Sequence, residues 1–109
     1  MEKFLALYMA SKEQQEVWAN SSQEEQEKDM AGWVKWMESH KDAWVDGGNP
    51  TGRSHKVDQS GTSEQQNEVC GYSIVQAESA AAAAAIFEGS PHVNEPNAWV
   101  EIMPIVDMM

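Results

Sequence analysis

Three histidines, one cysteine and a surplus of carboxylates hold whatever acid–base or nucleophilic chemistry this 109-residue sequence can perform. His92 is the first candidate catalytic residue. It follows Pro91, in the link between the second predicted helix and the last predicted strand. An imidazole titrates near neutrality and can act as acid or base; the plainer role is a hydrogen bond to loop backbone. Asp46, just before Gly47-Gly48, is the candidate partner that would orient a histidine. A carboxylate there more often satisfies turn amides. Asp58 is a second candidate partner. His40, beside Trp33 and Trp36, could reach a pocket between helix and sheet or be a partly buried structural histidine. His55 lies on a polar stretch and reads as solvated.

Other chemistries find less support. A metal site needs three or four converging ligands. The histidines are far apart, with no His-x-x-x-His or Cys-x-x-Cys pair, so no metal and no cofactor are expected. Cys70 has no histidine or basic residue beside it, and in a strand it reads as an inert core thiol. Gly47 to Gly52 could cradle a phosphate, but no Gly-Lys-Ser/Thr follows and the overall charge is wrong. No Gly-x-Ser-x-Gly nucleophile signature occurs.

Composition narrows the classes further. Apolar residues are 41% and charged residues 23%, which suits a globular chain of one domain, 1–109. The longest apolar run, Ala80 to Phe87, is far shorter than the roughly 20 residues that span a bilayer. Met1-Glu2-Lys3-Phe4 lacks the features of a signal peptide. Seven basic against 18 acidic residues give a net charge of −11, which disfavours nucleic acid and anionic membrane as partners. One cysteine cannot close an internal disulfide, and a cytoplasmic location fits.

The elements that must position these residues follow from pattern. Lys3 to Met9 reads as a strand with two apolar faces, Phe4, Ala6, Tyr8 and Leu5, Leu7, Met9. Residues 11–22 form a polar lead-in, with Val17 and Trp18 as the large apolar residues of the acidic stretch Ser11 to Asp29. Ser21 with Glu24, or Ser22 with Glu25, has capping-box spacing. It opens a predicted helix over roughly Gln23 to Lys41, striped by Met30, Trp33, Val34 and Met37, with Trp36 on the edge. Gly47 to Gly52 breaks this helix as a turn-rich loop. Arg53 to Asp58 reads as a short polar strand, and 59–68 as a flexible, hairpin-like loop. Val69 to Ala77 is a strand. Ser79 caps a second helix, Ala80 to Glu88, which Gly89 stops. Ala98 to Val106 is the last strand, where Pro104 implies an edge or a bulge.

Strand, helix, strand, strand, helix, strand is the ferredoxin-like α+β order, βαββαβ. Right-handed crossovers put both helices on one face of the sheet. The first, third and last strands are nevertheless apolar on both faces. An uncovered face of that kind would be a large apolar patch, rare on soluble monomers. A homodimer packed sheet to sheet would bury it, with C2 symmetry and a gross gain on the order of 10 kcal/mol before association costs.

Several stretches resemble the YCII-related family, also called DGPF-domain proteins. They are Lys3-Phe4-Leu5-Ala6-Leu7-Tyr8, Met30-Ala31-Gly32-Trp33-Val34-Lys35-Trp36-Met37, Val45 to Gly52, Gly71-Tyr72-Ser73-Ile74-Val75-Gln76-Ala77, Pro91-His92-Val93 and Val100 to Ile105. Together they run nearly the whole chain in order. The resemblance implies a small dimeric α/β barrel. It implies less about reaction. Some members resemble lyases or isomerases acting on ring compounds, with a His–Asp pair as the proposed couple and the histidine early in the first helix. Here that stretch is Met30-Ala31-Gly32-Trp33, which holds no histidine. The Pro-His dipeptide does recur in the family pattern.

Two readings result. One is a pocket for a small apolar or aromatic molecule, lined by Trp33, Trp36, Met37, Tyr72 and His92; its enzymatic form is a lyase or isomerase with His92 as acid or base. The other is a non-catalytic dimeric module in which the aromatic residues are only core.

Overall fold

The computed structural model describes residues 1–108. Strand β1 (Glu2–Ala10) lies at the centre of a four-stranded antiparallel sheet of order β2-β5-β1-β6, with β2 at Trp44–Pro50, β5 at Val69–Ala77 and β6 at Ala98–Pro104. Helices α2 (Gln23–Ser39) and α3 (Ala80–Glu88) supply the crossovers. This is the ferredoxin-like α+β arrangement expected from the order of elements. A separate two-stranded ribbon pairs β3 (Ser54–Asp58) with β4 (Gly61–Gln65).

Alternation on β1 divides the sheet. Phe4, Ala6, Tyr8 and Ala10 are buried, while Leu5, Leu7 and Met9 are only partly covered. The buried set packs with Val75 and Ala77 of β5, Trp36 of α2, and Ala83 and Phe87 of α3, so both helices lie on that face. The alanines of α3 let the helix approach the sheet closely. Its start is fixed by Ser79, whose hydroxyl accepts from Ala82 N at 3.1 Å. Ser22 caps α2 in the same way, accepting from Glu25 N at 3.1 Å.

Three expectations are corrected. The second strand of the main sheet is Trp44–Pro50, not Arg53 to Asp58. Trp44 has a core to enter, with its ring 5.1 Å from that of Trp36 and Nε1 donating to Met37 O at 2.9 Å. Of β3's residues, only Val57 is large and apolar, and it is 74% exposed. The Gly47-Gly48-Asn49-Pro50 segment is therefore not a loop but the irregular end of an edge strand, whose register shifts on both sides of Asp46. Gly48 is required there: φ is +78°, and a Cβ would lie 1.6 Å from Tyr72 O.

The second correction concerns residues 11–22, which contain helix α1 (Lys12–Ala19), capped by Ser11. Its anchors are polar. Gln15 Nε2 donates to the carbonyls of Ala10 and Asn67, and Gln66 Nε2 donates to Gln15 Oε1. Such anchoring leaves no hydrophobic periodicity to read. Third, only half of the stripe on α2 is covered: Trp33 and Met37 pack against the core beside the buried Trp36, while Met30 is 64% exposed and Val34 is 50% exposed. Pro104 does lie on an edge strand, as its missing N–H demands. Among the described residues no helix is long and apolar enough to cross a membrane.

Candidate functional site

The link from α3 to β6 begins with Ser90 and a 3₁₀ turn, Pro91–Asn94, that places His92 over the end of β1. The side chain is buried, and its Nε2 lies 2.7 Å from the Met9 carbonyl oxygen. A carbonyl can only accept, so Nε2 carries the proton and the tautomer is fixed. The other nitrogen, Nδ1, has no hydrogen-bond partner among the described residues. Ser90 Oγ is the one buried side-chain nitrogen or oxygen among them left without a partner, so Nδ1 is not sealed from solvent. Unprotonated, it is a lone-pair acceptor.

His92 borders a cleft of about 720 Å³ between α1, α2, the end of β2 and the 3₁₀ turn. Tyr8, Trp18 and Trp33 supply its aromatic walls, with Met30 and Met37 beside them. The three aromatic rings surround the imidazole, their centroids 5.5, 5.6 and 6.2 Å from it. Tyr8 and Trp33 also meet edge to face at 5.1 Å.

Hydrogen bonds hold the walls. Ser73 Oγ donates to Gly47 O at 2.7 Å, which leaves it to accept from the Tyr8 hydroxyl at 2.8 Å. Trp18 is held by Gln14, a buried residue of α1. With the Gln14 amide oxygen toward the indole, it accepts from Trp18 Nε1 at 3.1 Å and its nitrogen donates to Pro96 O at 3.2 Å.

The titratable groups follow from these surroundings. Burial pushes the His92 imidazole below its ordinary value; the Met9 and Trp99 carbonyls and the Glu95 carboxylate oppose this without reversing it. His92 is therefore neutral at pH 7. Burial also raises the Tyr8 phenol above its usual range, against the Ser73 hydrogen bond, so the hydroxyl stays a donor. The Cys70 thiol, which borders the cleft, is raised by desolvation and is a poor nucleophile at neutral pH.

The candidate residues separate clearly. Trp33, Met37 and His92 border the cleft together. Tyr72 borders it too, but strand alternation between the inward-facing Gly71 and Ser73 sends its ring to the opposite face, leaving its backbone on the cleft side. Trp36 is in the core instead, with Nε1 donating to Ile86 O at 3.1 Å. Asp46 is exposed, lies outside the cleft lining, and accepts from Gly48 N at 2.8 Å, the turn-satisfying role. Asp58 accepts from Ser60 N at 2.8 Å beside the β3–β4 turn. His40 stacks edge to face on Trp36, and His55 is exposed on the ribbon.

The carboxylates that do border the cleft are Asp29 and Glu95, and sequence reasoning missed both. It also missed Tyr8 and Trp18 as lining residues. A lone tryptophan in a polar, acidic segment was the available signal for Trp18. Among the described residues no cluster of three His, Cys, Asp or Glu side chains could hold a metal ion.

No curated protein and no solved structure matches the chain. The family model of the YCII-related domain matches residues 4–109. With nearly its whole length covered, the chain belongs to the YCII-related family.

Proposed function

We propose that this protein is a homodimer that binds a small molecule with an apolar or aromatic body in the cleft beside His92. The observation that carries the reading is the buried His92, its Nε2 bonded to Met9 O, bordering a cleft walled by Tyr8, Trp18 and Trp33. Apolar walls with one or two oriented polar groups are the usual make-up of a small-molecule site. The Nε2–Met9 bond supports the reading further, because it fixes the acceptor's direction before any ligand arrives.

The dimer rests on the sheet face that α2 and α3 leave open. Leu5, Leu7 and Met9 of β1 lie there with Tyr72 and Ile74 of β5 and with Trp99 and Met103 of β6, as their cross-strand pairing requires. A second copy of the same face would bury these side chains. Light scattering at micromolar concentration should give twice the chain mass, and Ile74→Asp should give the monomer.

A second reading has one specific support. A neutral imidazole with a free Nδ1 can take a proton from a bound substrate and return it, as a lyase or isomerase of a small cyclic or aromatic compound requires. The two readings separate in one experiment. Small aromatic compounds are screened by thermal shift, and binders are followed for turnover. Binding that Trp18→Ala weakens, with no turnover, supports the binding protein. Turnover lost in a folded His92→Ala dimer supports the enzyme. If no compound raises the melting temperature, the cleft is not a ligand site.

A further inference from the structure

The cleft has a charge pattern as well as a shape. Two carboxylates, the exposed Asp29 of α2 and the half-buried Glu95 after the 3₁₀ turn, border it. Among the described residues no lysine or arginine does. Three aromatic rings, whose faces are the negative ends of their quadrupoles, make up much of the remaining wall. The imidazole contributes a lone pair and not a positive charge. Every charged side chain on the wall thus favours a positive group and opposes a negative one, and the remaining polar residues, Ser21, Gln26 and Asn49, are neutral.

From this we infer that the cleft selects an organic cation, a protonated amine on an apolar or aromatic body, with the ammonium among Trp18, Trp33, Asp29 and Glu95 and one N–H donated to His92 Nδ1. The inference rests on the small-molecule reading above and names its ligand class. An ammonium near tryptophan faces gains from cation–π attraction, more so when partly desolvated. The nearby carboxylates add Coulomb attraction, and the whole-chain charge of −11 draws cations toward the surface while repelling anions. A carboxylate ligand would meet the opposite field, with no cationic side chain to receive it.

Three ligands of one skeleton test this by calorimetry at pH 7: 2-phenylethylamine, 2-phenylethanol and 3-phenylpropionate, a cation, a neutral molecule and an anion. The amine should bind about tenfold tighter than the alcohol, and the anion should bind weakest. Asp29→Asn combined with Glu95→Gln should remove most of the amine's advantage and leave the alcohol's affinity in place. Both residues are at least partly exposed, so the double variant should fold, which circular dichroism checks. Complete N-methylation of the amine should lower affinity, because the donor to Nδ1 is lost while the charge is kept. Equal binding of alcohol and amine, or tightest binding of the anion, overturns the cation assignment and leaves the small-molecule site standing. Failure of all three to bind overturns both.

Discussion

His92 and Met9 are joined by a 2.7 Å hydrogen bond that ties the 3₁₀ turn to the end of the central strand. Because the carbonyl can only accept, this bond orients the imidazole, places its proton on Nε2 and leaves Nδ1 as the acceptor. Met9 contributes backbone alone, so its side chain remains on the other face of the sheet. The same strand therefore serves the site on one side and the proposed dimer surface on the other.

The buried imidazole makes stability depend on pH with a definite sign. Its folded pKa lies below the ordinary value of 6.5, so the unfolded chain binds the proton more readily. The contribution is complete above about pH 6.5 and is lost as pH falls through the lower, folded value. Melting temperatures from pH 7.5 down to pH 4.5 should fall more steeply for the native chain than for His92→Gln. Parallel curves would show that His92 does not titrate against burial.

Gly48 should be intolerant of any side chain. Its φ is +78°, and a Cβ added there would come within 1.6 Å of Tyr72 O. A methyl group has nowhere to go without moving β2 from β5. Gly48→Ala should cost about 3 kcal/mol or more in denaturant unfolding. Gly52→Ala, where a Cβ meets nothing within 4 Å, should change stability by less than about 0.5 kcal/mol.

The Tyr8–Ser73–Gly47 chain predicts an asymmetry. Tyr8→Phe removes a donor but leaves Ser73 bonded to Gly47 O, and should cost about 1 kcal/mol. Ser73→Ala strands both the buried Tyr8 hydroxyl and the Gly47 carbonyl, and should cost about 2–3 kcal/mol. Chemical denaturation of the two variants compares them directly, and equal costs would contradict the direction assigned to the chain.

Elements marked by local signals were legible in sequence. The bounds of α3 follow from Ser79 and Gly89, those of β5 from its β-branched and aromatic residues, and the start of α2 from the capping-box spacing at Ser21 or Ser22, of which the structure uses Ser22. Elements that depend on distant partners were not. The end of β2 reads as a turn because Gly48 answers the close approach of Tyr72 O, a contact 24 residues away in sequence. Helix α1 is held by glutamine side chains to backbone carbonyls, an attachment with no hydrophobic period. At the site, Pro91-His92 was visible as a motif, but its carboxylate neighbours were not. Asp29 borders the same cleft as His92 only because α2 and the 3₁₀ turn converge there, whereas Asp46 is spent on the amide two residues ahead.

The most direct test of the account is a long-range proton–nitrogen NMR spectrum of His92 at pH 7, with and without saturating 2-phenylethanol or 2-phenylethylamine. The account predicts a neutral ring protonated at Nε2, with a bare Nδ1 whose resonance moves more than that of Nε2 when ligand is added. An imidazolium, a proton on Nδ1, or a spectrum unchanged by both ligands would contradict it.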